Sequence, residues 1–115
     1  HDYYQFVREY YDGEPWQQMR RKLDQVSSLC RAHGARLDVV VFPFLHNLGP
    51  EYPFREVHAQ WSRWGRDSGV RVLDLRETLE AHSAEGLTVN RYDAHPNERA
   101  HALAAEALRV GLFDD

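Results

Sequence analysis

Residues 37–42 read Leu37-Asp38-Val39-Val40-Val41-Phe42, a β-branched run that is almost continuously apolar. A strand with one wet face alternates apolar and polar residues. A run without alternation marks a strand covered on both faces, as in a parallel sheet. Pro43 follows at once and limits its length, because proline has no N–H for a ladder. Working outward, helical patterns flank this strand. Upstream, Gly13-Glu14-Pro15 opens a helix, with Pro15 near the first turn, where its missing N–H costs little. Trp16, Met19, Leu23, Val26 and Cys30 then recur at spacings of three and four, one helical face, and Gly34 supplies the stop. Residues 1–12 are crowded with Tyr and Phe and are expected to pack rather than trail as a tail.

Downstream, a loop from Pro43 to Pro53 leads to a helix over about 54–68, with Phe54, Val57, Trp61 and Trp64 on one face and Gly69 at its end. Val70, Val72, Leu73 and Leu75 form a second short strand, followed by a helical turn near 77–82. Leu87–Val89 is a third extended piece. The last helix spans about 96–109, with Ala100, Leu103, Ala104, Ala107 and Leu108 inward. Helices alternating with short apolar strands place the chain in the α/β class, with a parallel sheet and right-handed crossovers. Two or three strands are too few to cover Val39–Phe42 on both faces and both edges. The missing neighbours are expected upstream of His1 or in a second chain. The start at His1 without Met points the same way, to a processed or truncated product.

Composition narrows the function classes. The 115 residues suit one compact domain or part of one, and 43% apolar with 28% charged excludes disorder by composition. Fourteen basic against eighteen acidic residues give net −4, with no basic footprint for nucleic acid. No apolar run approaches the roughly 20 residues of a membrane span. No basic-then-apolar leader is visible, and a cytoplasmic setting is compatible with the sequence. The lone Cys30 permits neither an internal disulfide nor a multi-cysteine zinc site, and it reads as an inert core thiol.

Chemistry concentrates in Tyr92-Asp93-Ala94-His95-Pro96-Asn97-Glu98-Arg99-Ala100-His101. Asp93 and His95 sit two apart in a loop ahead of the last helix, a place where α/β proteins gather their sites. A carboxylate beside an imidazole fixes its tautomer and stabilises the imidazolium, as a general base in acyl transfer requires. The bland alternative is that Asp93 caps the helix and His95 is an ordinary surface residue.

The segment Arg91–Asn97, leading into Ala100–Leu108, resembles the last conserved block of SGNH (GDSL-type) hydrolases. Val39–Pro43, Tyr52-Pro53-Phe54, His58 and Val70–Leu75 fit the same family in order, so the chain looks like the C-terminal portion of one such domain, over residues 1–115. The resemblance implies a flavodoxin-like three-layer α/β/α fold with a parallel sheet, incomplete in this chain. It also implies a serine esterase, lipase-like, acting on a small-molecule carboxylic ester with no cofactor or metal. His95 would be the catalytic base and Asp93 its orienting carboxylate in a Ser-His-Asp triad. A Gly and an Asn from two earlier blocks would join the serine N–H in the oxyanion hole.

The departures are specific. The familiar block spaces Asp and His by three, whereas here the residue three before His95 is Tyr92. The five serines, Ser27, Ser28, Ser62, Ser68 and Ser83, lie in helices or a polar turn, none in a Gly-Asp-Ser context. The nucleophile and oxyanion hole are therefore expected upstream, in the N-terminal half of the same domain or a second protomer, and the chain alone is expected to be inactive. Two other classes compete: a non-catalytic α/β module dimerising through its sheet edge, and a metal site of Asp93, His95 and His46. An SGNH-fold O-acyltransferase is the nearest variant of the first reading.

The remaining conspicuous residues read as structure. His58, Trp61 and Trp64 are packing residues of the second helix, and His101 packs or caps within the last. His46 is a loop residue after the first strand, and Asp74 is a helix cap. The cluster Tyr3, Tyr4, Phe6, Tyr10 and Tyr11 reads as packing or a contact seam.

Overall fold

The computed structural model describes residues 2–113; of the aromatic N-terminal stretch, His1 lies outside them. In chain order the elements are α1 (Tyr3–Asp12), α2 (Glu14–Ala32), β1 (Asp38–Val41), α3 (Arg55–Ser68), β2 (Arg71–Asp74) and α4 (Arg76–Ala81). A 3₁₀ turn (Ser83–Glu85), β3 (Thr88–Asn90), β4 (Asp93–Pro96), α5 (Glu98–Leu108) and a π-helical turn (Arg109–Phe113) follow. The protein is mixed α/β, with helix dominant at 61% and the sheets correspondingly small. β1 and β2 pair as a two-stranded parallel sheet, and β3 and β4 form an antiparallel hairpin.

The strand expected over 37–42 is present as β1, but it is half-buried along its length, and Phe42 is exposed. The physical reason is that β2 is its sole ladder partner among the described residues. The segment expected to be loop before the last helix is instead β4. Its pairing with β3 adds an antiparallel element that apolar periodicity did not predict, since Asp93-Ala94-His95-Pro96 is too polar to signal a strand. The last helix accordingly begins at Glu98 rather than at Pro96.

Two compact units divide the chain. The first comprises the described residues through Val39 together with Phe54–Val72. Its helices start where caps allow: Asp2 accepts the Gln5 N–H at 2.7 Å, and Gly13 with Pro15 opens α2. Its core is aromatic. Trp16, Trp64 and Val70 are buried, with Tyr11, Met19, Leu23, Trp61 and Val72 packed on them. Trp16 meets Trp61 edge-on at 5.1 Å between centroids, and Tyr4 meets Phe54 at 5.3 Å.

The packing expected of the N-terminal aromatics holds for Tyr4 and Tyr11, while Tyr3, Phe6 and Tyr10 remain exposed. On α2 the inward position is Ser27 rather than Val26, which is 45% exposed; Arg31 donates to the Ser27 hydroxyl at 3.2 Å and so satisfies it. Asp38 at the start of β1 faces two guanidiniums, Arg36 at 2.9 Å and Arg71 of β2 at 3.4 Å. Gly65 lets α3 lie against β2: a Cβ there would stand 2.5 Å from Val72 Cγ2 and 2.8 Å from the Val70 carbonyl.

The second unit comprises Val40–Pro53 and the described residues from Leu73 onward. Its core is aliphatic and small: Leu75, Leu79, Leu87, Ala100 and Ala104 are buried, with Val40, Leu45, Leu48, Leu73, Leu103, Ala107 and Leu108 against them. The inward face expected for α5 is the one observed. Asp74, expected to be a helix cap, ends β2 one residue ahead of Leu75, the N-cap of α4, and its Oδ1 accepts the Arg76 N–H at 2.9 Å. All of the Asp93/His95 chemistry lies in this unit.

Candidate active site

Asp93 and His95 lie on β4 just after the turn that leads from β3, and local hydrogen bonds shape that turn. Asn90 ends β3 and folds its own side chain back: its Oδ1 accepts the N–H groups of Tyr92 at 2.8 Å and Asp93 at 3.0 Å. This is the side-chain mimicry of a turn that makes Asn common at such positions. β4 then leaves the turn paired Asn90 to Asp93 and Thr88 to Pro96, with an irregularity between the two pairs.

Two residues apart on an extended strand, Asp93 and His95 project to the same side. Asp93 Oδ1 accepts the His95 backbone N–H at 3.0 Å and contacts the His95 Nδ1 at 2.5 Å. An ionised carboxylate only accepts, so Nδ1 carries the proton of that contact and Nε2 of the neutral ring is left with its lone pair. The carboxyl is held below the usual carboxylate range. The first cause is the His95 backbone N–H, then the His95 imidazole, with a smaller favourable field from His46. The His95 side chain is 86% exposed, so Nε2 is open to whatever approaches.

The arrangement is therefore an imidazole with fixed tautomer, an orienting carboxylate behind it and an accessible basic nitrogen. The cap of α5 is Asn97, not Asp93: Asn97 Oδ1 accepts the Ala100 N–H at 3.0 Å. That frees Asp93 from the capping role considered for it. Asn97 stands inside the Tyr92–His101 block, which by itself assigns it no task. The signal was available, an Asn immediately before an Ala-rich helical pattern.

The structure separates the other candidates. His46, half-buried in the loop after β1, is near enough to act on Asp93 through its charge. His58 is buried at 3% exposure, a packing residue as expected, and Trp64 is buried at 4%. His101 is exposed on α5 rather than packed. Tyr92 is 81% exposed at the hairpin turn, with the Arg91 guanidinium 4.7 Å over its ring.

None of the serines bonds His95: Ser27 and Ser28 receive Arg31, and Ser68 donates to Asp24. Among the described residues no group of three or more His, Cys, Asp or Glu is placed to hold a metal ion, and no helix is long and apolar enough to cross a membrane. A cavity of about 320 Å³ lies in the first unit, lined by Trp16, Gln17, Arg20, Gln60 and Asp67 among others, and holds neither Asp93 nor His95. Compared with protein-family models, curated proteins and solved structures, the chain finds no match.

Proposed function

We propose that this chain carries the His–Asp part of a Ser-His-Asp triad in a carboxylic ester hydrolase of SGNH type, as the C-terminal portion of a flavodoxin-like three-layer α/β/α domain. One observation carries the reading: a single oxygen of Asp93 holds both the backbone N–H and the Nδ1 of His95, leaving an exposed Nε2 as base. In the reaction, a serine hydroxyl gives its proton to His95 Nε2 as its oxygen attacks the ester carbonyl. Asp93 stabilises the imidazolium that results. The proton then passes to the leaving alcohol, and water repeats the cycle on the acyl-serine. The serine and the oxyanion donors come from outside these residues, because none of the five serines stands at His95 and each bonded one is engaged elsewhere.

A fluorophosphonate probe read by intact mass tests this. The 115-residue chain takes no adduct. A longer product, or a complex that adds the serine-bearing segment, takes one stoichiometric adduct, and His95→Ala abolishes it. Stoichiometric labelling of any of the five serines in the chain alone would overturn the reading, as would labelling of the complete protein that is indifferent to His95.

A further inference from the structure

Asn97 is half-buried, two residues beyond His95, and spends every polar group it has. Its side-chain amide donates to the Gly86 carbonyl at 2.9 Å and to the Thr88 carbonyl at 3.1 Å. The amide oxygen accepts from Ala100, its backbone N–H donates to the Leu87 carbonyl at 2.9 Å, and its carbonyl accepts the His101 N–H at 3.0 Å. Three successive carbonyls, Gly86, Leu87 and Thr88, thus receive their hydrogens from one residue. Successive carbonyls of an extended chain alternate in direction, so the backbone bond that serves Leu87, just ahead of β3, cannot serve its two neighbours. The carboxamide reaches the pair that this bond leaves over. It also closes a loop from residue 86 to residue 97, and that loop contains Asn90, Asp93 and His95.

The residue type is not interchangeable. Two donors and one acceptor are needed in fixed places, and the carboxamide orientation is determined: reversed, it would set oxygen against two carbonyls and NH₂ against an N–H. Ser or Asp would retain the helix cap but supply no such pair of donors. We propose that Asn97 is the positioning residue of the Asp93–His95 pair, its carboxamide clamping the base of the hairpin to the start of α5. Its meaning for catalysis rests on the esterase reading above, whereas its effect on the pair does not.

Asn97→Ser and Asn97→Asp separate the cap from the clamp, and NMR of the chain reads the result. With α5 helicity retained by circular dichroism, the His95 amide exchanges roughly tenfold faster, the scale of lost hydrogen bonds. The Asp93 carboxyl midpoint moves up toward the ordinary value as its two His95 donors loosen. A merely structural Asn97 would lower thermal stability and leave that midpoint in place. A folded variant with both the His95 exchange and the Asp93 midpoint unchanged would overturn the clamp. If neither variant folds, the unmodified chain decides. The Asn97 carboxamide protons then exchange slowly, and exchange at the rate of a free amide would overturn the proposal. None of these readouts needs turnover, so a clamp that passes beside a complete protein without fluorophosphonate labelling would sink only the esterase reading.

Discussion

The second unit holds two histidine–carboxylate pairs built from the same groups and arranged for opposite purposes. His82 Nδ1 meets Glu85 Oε2 across the 3₁₀ turn, and the other oxygen of Glu85 accepts Arg99 Nε of α5 at 2.9 Å. Glu85 divides its two oxygens between the His82 ring and the Arg99 guanidinium, so it ties the turn to the helix. Asp93 instead places one oxygen on both the backbone and the ring of His95. The His82 side chain is 37% exposed and the His95 side chain 86%. A carboxylate shared with an arginine is a strut. A carboxylate given wholly to one imidazole orients it, and the exposure of that imidazole is what allows chemistry.

The comparison is broken most severely by removing one charge at a time. On the esterase proposal, Asp93→Asn in the protein that includes the serine-bearing segment is expected to lower kcat by about 10⁴, the scale seen when the orienting acid of a triad becomes an amide. On the same proposal Glu85→Gln leaves kcat close to that of the unmodified protein and costs thermal stability instead. Turnover of a chromogenic ester by both variants, beside their melting curves, checks this. Equal losses of turnover would make the two pairs equivalent and remove the distinction.

Next in size is a change in the core that both pairs stand on. Leu79 is fully buried in the cluster with Leu75, Leu87, Ala100 and Ala104, and so joins α4, the entry to β3 and α5. Leu79→Ala is expected to cost about 2–5 kcal/mol in denaturant unfolding, as a cavity in a core this small cannot collapse fully. Both pairs lose definition together. Retention of one pair's carboxyl midpoint and loss of the other's would show that they rest on separate cores.

How much of this was legible before the structure follows from the residues. β1, α3 and β2 were readable because Val39–Val41, Phe54 to Trp64 and Val72–Leu73 carry clean apolar periods, and Gly69 marks the stop with φ 69°. Asp93 and His95 were readable as a pair because two positions apart is close in any conformation. β4 was not, since its stability comes from the Asn90 turn and the Asn97 amide rather than from apolar alternation. Ser27 replaced Val26 on the inner face of α2 because Arg31 supplies a partner for the hydroxyl, a contact that a hydropathy pattern does not register. The three-layer arrangement expected from family resemblance needs more strands than β1 and β2, so a small parallel sheet is what this chain displays.

The smallest effect draws the finest line between the pairs. Both carboxyls are held below the usual range near 4, so each contributes stability above that range and loses it as pH falls through its lowered midpoint. The causes are ordered differently. For Glu85 the largest is the His82 side chain, followed by Arg99; for Asp93 the largest is the His95 backbone N–H, which no side-chain substitution removes. His82→Ala should therefore raise the Glu85 midpoint more than His95→Ala raises that of Asp93. Carbon-detected NMR titration of the two carboxyls between about pH 2 and 6 reads both shifts against the ordinary carboxylate values. A full return of Asp93 to its ordinary value in His95→Ala would mean that the imidazole alone holds the carboxylate. Asp93 would then depend on its imidazole first, as Glu85 depends on His82, and a preset turn that waits for the imidazole would no longer account for the pair.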